Sequence, residues 1–301
     1  MKKILFFTTA LIPFFSCAEK EEEAAAAEYQ CKTMPAFVKN TGLNPKRVAF
    51  STSEMHNMGL YLKEMPADMS IPAKTYQHPS WKTAGWLSPI QLDKMGNLFT
   101  APAPFVNVLN NPVKDQNTIY KVNSADGVLA EFLKLPWPKE PNDRNPFGIV
   151  SLAYNCKNNI LYASTVAGST PKEQLGRIYA IDAATKQIVD EIKGRDFFGI
   201  QVVVEAGRVV LLAGSARSSD FYAIKLKSNG KFSGEPQFAG SIEGLGARGN
   251  DKVKKIIFKA ENDIQVKGLE FDFNLIAPTE KQESNYEFYY DYEAGKWLLK
   301  S

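Results

Sequence analysis

Histidine and cysteine are scarce in this sequence, which has two histidines and three cysteines among 301 residues. His56 and His78 lie far from every cysteine, and no C-x-x-C pair occurs. Because zinc sites bring such ligands together at short spacings, the sequence does not indicate zinc. The G-x-S-x-G motif is also missing, which argues against a serine hydrolase triad.

A strong charge of either sign is missing as well. The 36 basic and 33 acidic residues leave a formal net charge of +3. The basic residues are dispersed and form no stripe interleaved with aromatic residues. Nucleic-acid binding requires such a basic surface, so we do not expect a nucleic-acid partner.

What the sequence does contain is a series of short β-type segments, clearest between residues 146 and 194. Four runs at 149–154, 160–166, 177–182 and 187–192 are rich in β-branched and aromatic residues. Each run ends in turn-forming residues such as Asn, Gly, Asp and Lys. Strands at this spacing predict an all-β sandwich, barrel or propeller.

A tyrosine between apolar residues recurs along the chain and favours the propeller. The copies contain Tyr61, Tyr120, Tyr179, Tyr222 and Tyr289, at spacings of 59, 59, 43 and 67 residues. Propeller blades of the kelch and WD40 types repeat at roughly 40 to 50 residues. We assign the tyrosine to the third strand of each repeat, which allows the loops to vary in length.

Five repeats follow, at residues 32–80, 81–139, 140–194, 195–244 and 245–301. They predict a β-propeller of five four-stranded blades. Six blades would require more than four strands in 81–139 or 245–301, and an irregular β-sandwich is the other alternative. A second repeat, Phe147-Gly148-Ile149 and Phe198-Gly199-Ile200, places glycine at the start of an inner strand. Glycine suits the close approach of backbones around a central channel.

The N-terminal segment has the features of a targeting signal. Lys2 and Lys3 precede an apolar run at 4–15, which is too short to span a membrane as a helix. The sequence Phe14-Phe15-Ser16-Cys17 resembles the lipobox of bacterial lipoproteins. This resemblance implies a signal peptide at 1–16 and lipidation of Cys17, with palmitate among its acyl chains.

Residues 17–31 are interpreted as a lipidated, solvated tether, because the run after Cys17 has no apolar stripe that would dock on a domain. Lys20-Glu21-Glu22-Glu23 resembles the surface-export signal of Bacteroidetes lipoproteins. We therefore expect an outer-membrane lipoprotein, on the cell surface rather than facing the periplasm, with the propeller at 32–301.

Cys31 and Cys156 remain as an even pair in an oxidising compartment. A disulfide between them would join the start of the propeller to its middle. Two free thiols are the alternative, because connectivity cannot be read from sequence.

Three loops between predicted blades each carry an arginine and an aspartate ahead of an inner strand. They contain Asp143 and Arg144, Arg195 and Asp196, and Arg248 and Asp251. If the arginines converge at the channel mouth, they form a site for carboxylate or phosphate groups. If instead each arginine pairs with its neighbouring aspartate, the loops staple the blades together, which we favour. Ser215 and Arg217 lie in a loop expected on the same face.

Glu54, Asn111 and Asp143 could supply oxygen ligands to Ca²⁺. Their order is similar to the metal ligands of gluconolactonase-like propellers, and the chain is distantly similar to TolB-like propellers. The resemblance implies a metal-dependent lactonase as an alternative function.

The leading hypothesis is an envelope lipoprotein whose propeller binds a protein or glycan partner, with no catalytic residue assigned. A structural subunit of an envelope complex is the third hypothesis. Fold alone does not choose among these functions, because propellers host many.

Overall fold

The computed structural model describes residues 28–52, 58–66, 72–104, 108–141, 144–275 and 282–300. Three short 3-10 helices lie at Ala36–Asn40, Pro79–Lys82 and Val113–Asp115. In the described ranges no helix is long and apolar enough to cross a membrane. Almost all the remaining regular structure is β-strand.

Nineteen strands follow one another along the described chain. The first seven are β1 (Val48–Ser51), β2 (Tyr61–Glu64), β3 (Lys74–Tyr76), β4 (Leu87–Leu92), β5 (Leu98–Pro102), β6 (Thr118–Val122) and β7 (Leu129–Lys134). The next eight are β8 (Ile149–Asn155), β9 (Ile160–Thr165), β10 (Arg177–Asp182), β11 (Ile188–Lys193), β12 (Phe197–Glu205), β13 (Arg208–Ser215), β14 (Asp220–Leu226) and β15 (Phe232–Ser241). The last four are β16 (Lys252–Ala260), β17 (Asp263–Leu269), β18 (Ser284–Asp291) and β19 (Lys296–Leu299).

These strands form five antiparallel sheets, and each sheet pairs strands in chain order. The sheets are β1–β3, β4–β7, β8–β11, β12–β15 and β16–β19. First strands of successive sheets contact one another, β4 with β8, β8 with β12 and β12 with β16. Sheets that meet along their first strands are the blades of a propeller. The predicted five-bladed propeller is confirmed, and the six-bladed ring and the sandwich are not what the chain forms.

The tyrosine repeat marks the same strand in four blades. Tyr120, Tyr179, Tyr222 and Tyr289 all lie in the third strand of their sheet. Tyr61 differs, because it begins β2, the second of the three strands described in the first blade. The repeat therefore identified every blade but assigned the strand order of the first one incorrectly.

Apolar residues that alternate along each strand hold neighbouring blades together. In β12, Val202 packs toward the third blade, while the next residue, Val203, packs toward the fifth. Leu211 and Leu212 divide in the same way in β13. Successive side chains of a strand point to opposite faces, so a central blade is apolar on both faces. Each fully buried side chain of this kind contributes about 1.5–3 kcal/mol.

Gly148 and Gly199 lie where the backbones of neighbouring blades approach closely. A Cβ atom at Gly199, in β12, would lie 2.5 Å from the carbonyl oxygen of Lys254 in β16. At Gly148, just before β8, a Cβ atom would lie 2.2 Å from the carbonyl oxygen of Gln116. Both distances are too short for a side chain, so the predicted role of these glycines is confirmed.

The meander gives the propeller two distinct faces. The turns between first and second strands and between third and fourth strands lie at one end of each sheet, which we call the turn face. The loops between blades and between second and third strands lie at the other end, which we call the connection face. The predicted arginine and aspartate residues belong to the connection face.

Candidate functional site

On the connection face, Arg248 and Asp251 form a local ion pair. Arg248 donates from Nε to Asp251 Oδ1 at 2.6 Å and from Nη2 to Asp251 Oδ2 at 2.9 Å. Ser284 donates a further hydrogen bond to the same carboxylate at 2.7 Å. Burial raises the pKa of Asp251, but the hydrogen bonds from Arg248 and Ser284 outweigh it and hold this pKa below its ordinary value. The pair joins the loop before β16 to the start of β18.

Asp196 is paired with Arg217 instead of its neighbour in sequence. Arg217 Nε lies 2.5 Å from Asp196 Oδ2, and the aspartate is 2% exposed. The other oxygen, Oδ1, accepts hydrogen bonds from Ser169 Oγ and from the backbone N–H of Gly176. Arg195 lies over the ring of Tyr222, 5.7 Å from its centre. The expected pairing of Arg195 with Asp196 is therefore wrong.

Arg217 links loops of three blades. Its Nη2 donates to the carbonyl oxygens of Thr170 and Glu173, in the loop between β9 and β10, at 2.7 and 2.8 Å. Its guanidinium also lies 5.1 Å from the ring centre of Phe273, in the loop between β17 and β18. The guanidinium is engaged in contacts within the protein, as expected of a residue that holds neighbouring blades together, which we call a staple.

Aromatic side chains fill the space beside this staple. Phe271 lies between Phe147, Phe198 and Phe273, with ring centres 5.2, 4.6 and 5.0 Å away. These rings come from the third, fourth and fifth blades and pack with Val166 and Ala216 in one cluster. This part of the connection face is packed with side chains of the protein itself.

Of the remaining predicted site residues, the structure describes Arg144 and Asn111. Arg144 is exposed, in the loop before β8, whereas Asp143 and Glu54 lie outside the described residues. Asn111 is 2% exposed, and its side chain exchanges two hydrogen bonds of 3.0 Å with the backbone of Trp86. Its amide thus already holds the loop that precedes β4.

On the turn face, two recesses cross the third, fourth and fifth blades. The larger recess has a volume of about 380 Å³ and lies between the third and fourth blades. The smaller recess has a volume of about 180 Å³ and lies between the fourth and fifth blades. Arg208 and Lys225 line both recesses and therefore lie between them.

Cations dominate the lining of these two adjacent recesses, which together we call the basic groove. Its five cationic residues are Lys157, Arg208, Lys225, Lys227 and Lys296. Glu205 is the one carboxylate among the lining residues. Across the described chain, Lys225, Lys227 and Lys296 have no ion-pair partner within 4 Å. Several cations that converge on a concave surface create a positive potential that attracts anions.

The segment that precedes the propeller is fixed beside the larger recess. Cys31 and Cys156 form a disulfide, with their Cα atoms 5.4 Å apart. Tyr29 lines the recess and accepts a hydrogen bond from the backbone N–H of Cys156 at 3.2 Å. Glu28 pairs with Lys157 at 2.7 Å. The chain therefore enters the propeller from the turn face.

Sequence reasoning missed the groove because it looked for a site on the connection face. The missed residues occupy turns and strand ends: Lys157 in the turn after β8, Glu205 and Arg208 across the turn after β12, and Lys225 near the end of β14. The available signal was the recurrence of lysine and arginine at the turns of consecutive repeats. It is weak in sequence, because charged turn residues are common.

No known protein family and no curated protein matches the sequence. One similar solved structure is Bacteroides ovatus xyloglucan PUL GH43B, with a TM-score of 0.38 and 12% sequence identity. The match covers 68% of this chain and 38% of that chain, so this chain spans about two fifths of that structure's length.

Proposed function

We propose that this chain is an envelope lipoprotein, anchored in the outer membrane through Cys17 and displayed on the cell surface, whose propeller binds an acidic polymer in the basic groove. The observation that carries the binding proposal is the imbalance of charge in the groove, with five cationic residues and one carboxylate. Three of these cations lack an ion-pair partner in the described chain and are available to a ligand.

The position of the groove fits an anchored protein. Glu28 to Cys31 lie on the turn face, and ten residues lie between Cys17 and Glu28, a separation of eleven positions along the chain. A chain of that length extends at most about 40 Å. A lipid on Cys17 would therefore keep the groove near the membrane surface. Because the cations line concave recesses, an extended acidic chain can enter them, whereas a flat lipid surface cannot.

Charge reversal in the groove tests the binding proposal. We expect Lys225→Glu to weaken binding of polygalacturonate and of polyaspartate by roughly 10- to 100-fold, because a charge-assisted hydrogen bond contributes about 1.5–3 kcal/mol. Affinity is measured by calorimetry at low and high salt, since screening should weaken the interaction. Lys46→Glu makes the same charge change on the exposed surface of the first blade and should leave affinity unchanged.

Two results would contradict this proposal. If the unmodified protein binds neither polymer, the proposal of an acidic ligand is wrong. If Lys225→Glu and Lys46→Glu lose the same affinity, the polymers are attracted by the overall charge of the protein and do not bind in a defined groove. Binding of the soluble protein to phosphatidylglycerol vesicles, with neither polymer bound, would identify a lipid surface as the partner instead.

The anchor is tested separately through Cys17. We expect Cys17→Ser to abolish lipidation and to release the protein from the membrane fraction. A single acyl chain binds membranes only marginally, but a lipoprotein carries more than one, so the unmodified protein should stay bound. Fractionation after a high-salt wash measures this. A Cys17→Ser protein that still sediments with membranes would show that the anchor lies elsewhere.

A further inference from the structure

The small recess contains a carboxylate that the protein itself leaves incompletely bonded. Glu205 ends β12 and is 6% exposed. Trp297 Nε1 donates to its Oε2 at 2.8 Å, and within the described chain no other donor hydrogen-bonds to this carboxylate. Arg208 and Lys225 line the same recess, but among the described residues neither forms an ion pair with Glu205. An ionised carboxylate accepts several hydrogen bonds, so Oε1 is left with capacity for a ligand.

The other lining residues restrict what that ligand can be. Arg208, Lys225 and Gln237 offer hydrogen-bond donors, while Tyr290 and Trp297, which are 7% and 2% exposed, form part of its wall. A bound anion would be repelled by Glu205, and a bound cation would be repelled by Arg208 and Lys225. A neutral group that both donates and accepts hydrogen bonds satisfies all of these residues, and a hydroxyl group does so.

The size of the recess adds a second restriction. Its volume of about 180 Å³ is smaller than the usual range for a drug-sized ligand, which begins at roughly 300 Å³. It therefore accommodates one small unit of a longer chain. The remainder of that chain would continue past Arg208 and Lys225 into the larger, more basic recess.

From these contacts we propose that the small recess binds one sugar unit of an acidic polysaccharide, with a ring hydroxyl donating to Glu205 Oε1. The carboxylates of neighbouring sugar units lie against the cations of the larger recess. This inference rests on the proposed function, because it names the chemical class of the acidic polymer. It makes Glu205 a specificity-determining residue that distinguishes a hydroxylated polyanion from one without hydroxyl groups.

The substitution Glu205→Gln tests the proposal with two polymers of similar charge. Polygalacturonate carries ring hydroxyls beside its carboxylates, whereas polyaspartate carries carboxylates alone. We expect Glu205→Gln to reduce polygalacturonate affinity by roughly tenfold or more, through loss of a hydrogen bond to a charged acceptor. Polyaspartate affinity should stay the same or rise, because a negative charge has been removed. Glu243→Gln, at an exposed position outside the groove, is the matched control.

Stability measurements separate a binding effect from a folding effect. Burial raises the pKa of Glu205, so its ionised form destabilises the folded state, and stability from this group falls as pH rises through the raised pKa. Glu205→Gln should therefore be at least as stable as the unmodified protein at neutral pH. This advantage should disappear below the unfolded pKa of glutamate, about 4.3. If Glu205→Gln binds polygalacturonate more weakly but unfolds at no lower temperature than the unmodified protein, the weaker binding cannot be attributed to misfolding.

The outcomes distinguish this inference from the proposed function. If Lys225→Glu weakens the binding of both polymers but Glu205→Gln leaves the ratio of the two affinities unchanged, the groove binds anions and the proposal of a sugar subsite is wrong. If polyaspartate binds more tightly than polygalacturonate to the unmodified protein, an acidic protein is the better partner and the sugar subsite is again wrong. If neither polymer binds, the proposed function itself fails.

Discussion

Replacement of Asp196 by alanine is expected to lower the free energy of unfolding by about 3–5 kcal/mol, the range for removing one partner of a buried ion pair. Asp196 is 2% exposed and accepts hydrogen bonds from Ser169, Gly176 and Arg217. The substitution removes the acceptor of Ser169 Oγ, of the Gly176 backbone N–H and of Arg217 Nε. Because Arg217 also contacts the loops that follow β9 and β17, the loss should affect three blades at once. Denaturant unfolding gives the free energy directly.

A matched substitution distinguishes this staple from a general effect of charge. Asp272 is exposed in the loop of the fifth blade on the same face. Asp272→Ala removes the same charge and should change stability by less than about 0.5 kcal/mol. A similar loss of stability in both variants would show that net charge decides the result. Unchanged stability in Asp196→Ala would show that Arg217 does not staple the connection face.

Removal of the disulfide is expected to have an effect of similar size. The bond joins Cys31 to Cys156 across a sequence separation of 125 residues. Constraining a loop of this length in the unfolded chain contributes about 4–5 kcal/mol by chain entropy, although measured gains are often smaller. We expect the double variant Cys31→Ser/Cys156→Ser to unfold at lower denaturant concentration. The blades should still form, because their strands pair without the bond, although Cys31 also packs against the apolar cluster between the second and third blades.

Thiol labelling tests the bond itself. In a Cys17→Ser background, Cys31 and Cys156 are the remaining cysteines. Unreduced, denatured protein should then show no reactive thiol, and reduction should reveal two. Two reactive thiols before reduction would refute the bridge. An oxidised protein that is no more stable than the double variant would confirm the bond but contradict its expected contribution.

The sequence was most informative about the fold. Alternating apolar residues and regular turns determine that strands form, and a blade with two apolar faces must pack against neighbours on both sides. The recurring tyrosine located the third strand of four blades. Gly148 and Gly199 indicated where inner strands approach closely, because only glycine lacks the atom that would collide there. The first blade was less clear, because Tyr61 falls in a different strand.

The candidate site followed less directly from sequence. Arg195 and Asp196 are adjacent in the chain, yet the partner of Asp196 is Arg217, which lies 21 residues away. Both residues lie in loops of the fourth blade on the connection face, and the fold places the guanidinium of Arg217 beside the carboxylate of Asp196. Nearness in sequence therefore did not predict the pairing. For Asn111, two hydrogen bonds to the backbone of Trp86 give the side chain a role that its position in a predicted loop did not reveal.

Sequence alone predicted the all-β class of fold, favoured five blades over six and indicated the close approach at Gly148 and Gly199, because these depend on periodicities and local backbone requirements. Only the tertiary structure decided which charges meet. Lys157, Arg208 and Lys225 lie at turns and strand ends of two different blades, and their convergence depends on how those blades pack. The burial of Glu205 likewise depends on Trp297, which is 92 residues distant and belongs to the next blade. Electrostatic sites of this kind arise from separations in space, which a linear pattern of charges does not specify.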